Sequence, residues 1–542
     1  MSAHHTKSNA REVATIRCST RLRFSSGAAF GGFTSANPAT TLRRMRASIA
    51  LGSLIALLGV GCYRTNERGA EPDARVAFAD AGRDARVDPI GRDVGTDARV
   101  ISGCRRPADC PGATCILNTA IPPADLADVP LTCAAPVGPG GVGDLCDANA
   151  DCAENLCALG GGCVVPCIDA SDCLAGHQCA RIPIVTSASS MQFAQACTPW
   201  VSPPETATVV QNETVSAMAN AQQDFTIARF DAPSRLSLFV AESDDDNRFV
   251  VSIQTAGGTP LFDVNEWGRT LQPNPAIGFF QTVSVLLPSG MRDAPRGDDY
   301  IVNLLNGNTR SYRRIAVERT SVGTRINLNF IYVGVPGGDE MIPPRFISDM
   351  ILRYGEIIGM SGLSVGVVRH VNMPGALATQ HSIIESQAEV ADLLRLSAGT
   401  GRPVLNVFLI RSSSDFLGIS GGLPGAINVH GTGNSGVVLS IEDLESIAPA
   451  LEEGFAGAVM AHELGHFQGF PHTSEADGSV IDVFEDTPEC LIAQDANGDG
   501  FLDPRECRGF GADHVMFWQG VSSAGIFSPR QQALLRISTA LH

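Results

Sequence analysis

Along residues 324–333 apolar positions alternate with polar ones, Ile326, Leu328 and Phe330 against Asn327 and Asn329, and then run together as Ile331-Tyr332-Val333. That is the pattern of a strand entering a sheet interior. Behind Pro343-Pro344, the residues Ile347, Met350, Ile351, Tyr354, Ile357 and Ile358 recur at three-and-four spacing, which predicts a helix that Gly359 and Gly362 help to end. Residues 363–368 read as a second strand, 382–396 as another helix and 404–410 as a third strand. A further helix is expected over 451–467, with Phe455, Val459, His462 and His466 on one core-facing stripe. Strands alternating with helices predict an α/β domain over 323–542.

Upstream the period changes to two. Leu236, Leu238 and Val240 alternate with Ser237 and Phe239, and similar runs occupy 249–253 and 300–305, separated by Gly, Pro and Asp clusters. Short antiparallel strands forming a β-sandwich over 201–322 are expected. Asp244-Asp245-Asp246 reads as a solvated acidic turn, with calcium binding as the alternative. Residues 63–103 cycle through Asp-Ala-Arg and Gly-Arg-Asp units with almost no large apolar side chains, so they predict a disordered linker.

Cysteine changes the picture between these regions. Twelve of the sixteen cysteines fall within 104–200, where Cys104, Cys110 and Cys115 recur in spacing as Cys146, Cys152 and Cys157 and as Cys167, Cys173 and Cys179. Each trio is followed by a fourth: Cys133, Cys163 and Cys197. An aspartate, Asp109, Asp151 or Asp172, precedes the second cysteine each time. The spacings are not C-x-x-C, so disulfide modules are expected rather than zinc sites, with pairing left open. Such modules can bind a partner or serve as a rigid spacer, and the spacer is the expectation. An oxidising compartment follows.

Residues 1–62 form a leader. Arg43-Arg44-Met45-Arg46, the apolar run 49–60 and Gly61-Cys62 make an export signal too short to span a bilayer. This resembles a bacterial lipoprotein signal, which implies lipid attachment at Cys62 and an extracellular or outer-surface location; Gly59 stands where such signals carry leucine. The 542-residue length requires several domains. A net charge of −18 disfavours nucleic acid and anionic membrane surfaces as partners.

The chemistry gathers in His462-Glu463-Leu464-Gly465-His466-Phe467-Gln468-Gly469-Phe470-Pro471-His472. Histidines four apart share one helical face and can converge on a metal ion, while Gly469 lets the chain turn so that His472 supplies a third nitrogen. Three imidazoles leave one tetrahedral zinc position open for chemistry. Glu463 is placed to act on a water as general base.

This pattern resembles the metzincin metalloproteases. The resemblance implies a methionine turn, matched by Met516 in Asp513-His514-Val515-Met516-Phe517-Trp518, and a protein or peptide substrate. Many metzincins carry tyrosine two places after that methionine; here Trp518 occupies the position, leaving His514 as a weak candidate oxyanion donor. The Gly-rich run 416–425, Gly436-Val437-Val438-Leu439, Asp486-Thr487-Pro488-Glu489-Cys490 and Phe527-Ser528-Pro529-Arg530-Gln531 look like the pappalysin-like branch. That branch implies an edge strand within 418–438 that pairs with an extended peptide.

A second grammar occupies 495–506. Asp495, Asn497, Asp499, Asp503 and Glu506 stand at positions one, three, five, nine and twelve, Gly500 is sixth, and Phe501 would offer its carbonyl, as in an EF-hand calcium loop. Flanking helices are missing, and a Cys490–Cys507 disulfide would hold the ends instead. Two functions follow: a zinc endopeptidase, or an adhesion or scaffold protein with a structural metal. Glu463 favours the enzyme, since a structural site has no use for a base beside its metal. Oligomeric state is left open.

Overall fold

The computed structural model describes residues 103–542 apart from 188, 217–221, 228–235, 243–248, 264–281, 288–298, 306–310, 336–343, 448–453, 480–481, 483 and 521–523. The expected leader with Cys62, the expected linker as far as 102, and Asp244, Asp245 and Asp246 lie outside the described residues.

The C-terminal region is built on a five-stranded sheet. Its strands are β1 (Arg325–Val333), β2 (Ser364–Met373), β3 (Leu405–Ile410), β4 (Gly418–Ser420) and β5 (Val437–Ser440), in the order β2-β1-β3-β5-β4. All pairings are parallel except that of β4, which runs antiparallel to β5 at the edge. The helices are α1 (Pro344–Gly359), α2 (Gly375–His381), α3 (Gln387–Arg395), α4 (Ile441–Ile447), α5 (Phe455–Phe467) and α6 (Pro529–Leu535).

Both faces of the sheet are covered, which is why its strands end in continuous apolar runs. Phe330, Tyr332, Val407 and Leu409 pack with Met350 and Tyr354 of α1 and Val459 of α5. Ile331, Val333, Phe408 and Ile410 point the other way, onto Leu377 of α2 and Val390, Leu393 and Leu394 of α3. The expected first three strands and α1 are present, β2 running on to Met373.

Three expectations need correction. Residues 382–396 are not one helix: Ile383–Ile384 pairs with Ser412–Ser413, and α3 begins only after Ser386. The stop is chemical, because Ser386 Oγ accepts the Glu389 N–H while the Glu389 carboxylate takes the Ser386 N–H, a capping box. The helix expected over 451–467 is interrupted at Gly454, which takes a left-handed conformation (φ 95°), so α5 spans Phe455–Phe467; residues 451–453 lie outside the described residues. It has no polar face either, since all thirteen residues of α5 are buried. The glycine-rich stretch 421–436 between β4 and β5 is likewise almost wholly buried.

Two four-stranded antiparallel sheets precede this region. One orders Pro260–Asp263, Phe249–Thr255, Tyr300–Leu305 and Gln222–Ile227; the other orders Val283–Leu287, Leu236–Glu242, Ser311–Arg319 and Ala207–Ser216. Val283, Val285, Leu287, Tyr312 and Ala316 of the second sheet share a core with Val250, Ile253, Val302 and Leu304 of the first. The alternate residues Leu286, Ile315 and Val317 join the core of the C-terminal region instead. The second sheet is thus covered on both sides.

Each cysteine module pairs first with third and second with fourth: Cys104–Cys115 and Cys110–Cys133, Cys146–Cys157 and Cys152–Cys163, Cys167–Cys179 and Cys173–Cys197. The recurring aspartate has a structural task. Asp109, Asp151 and Asp172 each accept the two main-chain N–H groups three and four residues earlier, fixing the short turn that aims the second cysteine.

The spacer expectation fails, because the modules dock. Arg369 of β2 inserts its guanidinium between the carbonyls of Cys146 and Gly160 and the Asp147 carboxylate. Asp125 accepts from Met191 N–H and, at 2.7 Å, from Ala376 N–H in the first turn of α2. Leu159, Met191 and Phe193 complete the apolar layer on that face of the sheet.

Candidate metal centre

Helix α5 supplies His462, Glu463 and His466, all essentially without solvent exposure. It ends in a Schellman motif: Gly469, at φ 96°, donates to His466 C=O, and Phe470 N–H donates to Gly465 C=O. The same turn brings the Phe470 carbonyl 2.6 Å from His466 Nδ1 and carries the chain round to His472.

The three Nε2 atoms converge. They lie 2.9 Å (His462 to His466), 3.1 Å (His466 to His472) and 3.2 Å (His472 to His462) apart. Ligands at about 2.0–2.1 Å from a tetrahedral ion are spaced by roughly 3.4 Å, so the donor set is close to that arrangement. Each Nδ1 is engaged on the opposite side: His462 with Val515 C=O at 2.7 Å, His466 with Phe470 C=O, and His472 with Glu475 Oε1 at 3.0 Å. Nδ1 therefore carries the proton, and the Nε2 lone pairs face one another. Burial, helped by the neighbouring imidazoles, pushes His462 down to about 3 and His466 well below the usual range, keeping both neutral. Three Nε2 atoms aimed at one point form a cation's donor set.

Glu463 lies beside them with no exposed surface, and neither carboxylate oxygen makes a hydrogen bond of normal geometry. Burial raises its pKa well above the usual carboxylate range, opposed only by the main chain of Ser420. The neighbour is β4: a Cβ on Gly418 would stand 2.6 Å from Glu463 Cγ, so only glycine lets the edge strand approach. Met516 is fully buried, with its sulfur pressed into the space that a Cβ on Gly465 would need. Its carbonyl accepts from Thr473 N–H, tying the 514–516 turn to the residue after His472.

Trp518 is occupied elsewhere: its indole N–H donates to Leu502 C=O at 2.8 Å. It is not free to serve an oxyanion. His514 is buried with an unpartnered Nδ1.

In the 495–506 loop Gly498 and Gly500 adopt positive φ, and Cys490–Cys507 closes the base. The oxygens that the spacing singles out accept main-chain N–H groups of the loop itself. Asp495 takes Gly498 and Gly500, Asn497 takes Asp499, and Asp499 takes Phe501. Asp503 takes Arg505 and Glu506, and Glu506 takes Ala496, Asn497 and Asp503. Sequence reasoning passes over Glu475, the close approach of Gly418 to Glu463, and the carbonyls of Val515 and Phe470. None of these leaves a signal in the local pattern, Glu475 included, since outside a helix a separation of three does not fix contact.

No protein-family model matches the chain, and no curated protein matches it. Among solved structures, mirolysin in complex with compound 9 aligns at a TM-score of 0.27 and 15% identity, over 40% of this chain and 91% of that one. Metalloproteinase-II from Bacteroides fragilis aligns at 0.24 and 10% identity, over 42% of this chain and 63% of that one. Likenesses so distant assign no activity, and the functional reading rests on the residues.

Proposed function

We propose that this chain is a zinc-dependent endopeptidase of the metzincin type, hydrolysing peptide bonds in proteins, with His462, His466 and His472 as metal ligands and Glu463 as general base. One observation carries the reading: three buried Nε2 atoms within 3.2 Å of one another stand beside a buried carboxylate that makes no hydrogen bond of normal geometry. When bound, zinc would polarise the scissile carbonyl and acidify a water.

The chain's own residues do the rest. Glu463, whose environment favours holding a proton, accepts one from the attacking water and passes it to the leaving amine. Strand β4, at the sheet edge against Glu463, would take an extended peptide as an added strand and bring its backbone to that carboxylate. The glycine-rich run and edge strand, 486–490 and 527–531 support the pappalysin-like branch. The two N-terminal sheets with their shared core are read as a β-sandwich, and the loop 495–506 as a calcium site supported by the left-handed Gly500 and the disulfide at its base. Export with lipid attachment at Cys62 is part of the same reading, supported by the leader and the seven described disulfides. Mass spectrometry of the mature N-terminus tests it; an unmodified chain starting at Met1 or Met45 would sink it.

The central test compares wild type, Glu463→Ala and His466→Ala for zinc content and cleavage of a proteome-derived peptide library. Glu463→Ala is expected to keep about one zinc per chain and lose ~10²-fold or more in turnover. His466→Ala should lose both metal and activity. A wild type that holds zinc yet cleaves nothing establishes the scaffold reading instead.

A further inference from the structure

The three histidines are held by different means. His462 and His466 sit on the rigid helix α5, and their Nδ1 atoms meet main-chain carbonyls whose positions are set by turns: Val515 beside the buried Met516, and Phe470 behind the left-handed Gly469. His472 has neither support. It lies beyond the helix on irregular chain, is the most exposed of the three at 7%, and its Nδ1 meets a side chain, the part-buried carboxylate of Glu475.

Glu475 is itself anchored. Its carbonyl accepts from Gly478 N–H, closing a turn, and the next residue's carbonyl, Ala476, accepts from Leu502 N–H at 2.8 Å. On the other side of His472, Thr473 N–H is held by Met516 C=O. The carboxylate is therefore delivered to His472 from a fixed base, and it brings a negative charge where the other two ligands receive a neutral carbonyl.

We propose that Glu475 is a positioning residue for the metal centre, orienting His472 through Nδ1–H and strengthening its Nε2 as a donor. This rests on the zinc reading above. A carboxylate behind an imidazole fixes the tautomer, restricts ring rotation and raises ligand basicity, and losing such a partner typically costs 10–100-fold in metal affinity. At equal geometry a charged acceptor makes a stronger hydrogen bond than a neutral carbonyl.

The experiment measures zinc dissociation constants by competition with a chelating indicator for full-length wild type, Glu475→Ala and Glu475→Gln. The visible spectrum of each cobalt-substituted form and the melting temperature of each metal-free form are recorded alongside. Glu475→Ala is expected to bind zinc about 10–100-fold more weakly and to shift the cobalt bands, with metal-free melting little changed. Glu475→Gln, which keeps an acceptor but not the charge, should recover the cobalt spectrum and part of the affinity. Unchanged zinc affinity in Glu475→Ala overturns the proposal. So does a loss of metal-free stability that Glu475→Gln restores without restoring zinc affinity, because that marks a purely structural residue. A wild type that binds no zinc removes the metal centre itself, an outcome visible in the wild-type arm alone.

Discussion

Gly465 lies between His462 and His466 on α5, and the space its missing side chain leaves is filled by the sulfur of Met516. Gly465→Ala should therefore displace a fully buried methionine from under the histidines, costing about 1–3 kcal/mol as overpacking does and weakening zinc binding; thermal melts with and without zinc check both. Asp482 offers a pH test. It is buried, its Oδ2 is unpartnered, and burial raises it from 3.8 to about 7. Between about pH 4 and 7 the folded chain then holds a proton that the unfolded chain has released, so stability falls as pH rises through that window and levels off above it. In metal-free protein Asp482→Asn should gain on wild type from pH 5 to 7, by at most roughly 3 kcal/mol over those two units, since each pH unit across the window is worth about 1.4 kcal/mol. Melting curves across that range that remain parallel would contradict it. At this scale His462, Glu463 and His466 are legible in the sequence because a helix converts spacing into geometry, and His472 because Gly469 marks the turn that brings it round. Glu475 is not, since outside a helix a separation of three says nothing about contact.

Among the elements, α3 depends on its first turn. Removing the Ser386 hydroxyl leaves the Glu389 N–H without its acceptor, and Ser386→Ala should lower stability by about 0.5–2 kcal/mol in denaturant titrations. The 495–506 loop is the second element to test. If calcium binds only the folded chain, a concentration a hundredfold above the dissociation constant adds about 2.7 kcal/mol, and Asp499→Ala should abolish the resulting melting shift. No shift in wild type would count against the site. Strands β1 and β3 and helix α1 can be read from periodicity because both faces of a covered sheet impose it locally. The break before Ser386 cannot, because Ile383–Ile384 leaves the helical path to pair with Ser412–Ser413, a contact absent from the local pattern. The buried stretch 421–436 misleads similarly: glycine usually marks surface turns, yet here it permits close approach, as where a Cβ on Gly425 would collide with the Phe467 ring.

For the whole molecule, docking of the middle cysteine module turns on Gly160, Gly161 and Gly162. A Cβ on Gly161 would overlap the Arg369 guanidinium, and those on its neighbours would strike Thr400 and Gly401. An arginine tip can ordinarily swing aside, but this one is 8% exposed and would abandon its acceptors on Cys146, Gly160 and Asp147. Gly161→Ala should thus detach the module, destabilising the chain by about 2 kcal/mol or more and opening it to limited proteolysis between the module and the sheet. The same lock has a consequence for biosynthesis. Gly160 is made 209 residues before Arg369, so at roughly 5–20 residues per second the finished socket waits about 10–40 s for its guanidinium. During that wait nothing from the C-terminal region can correct a mispaired thiol, and the fidelity of the three modules has to come from their own aspartate-braced turns.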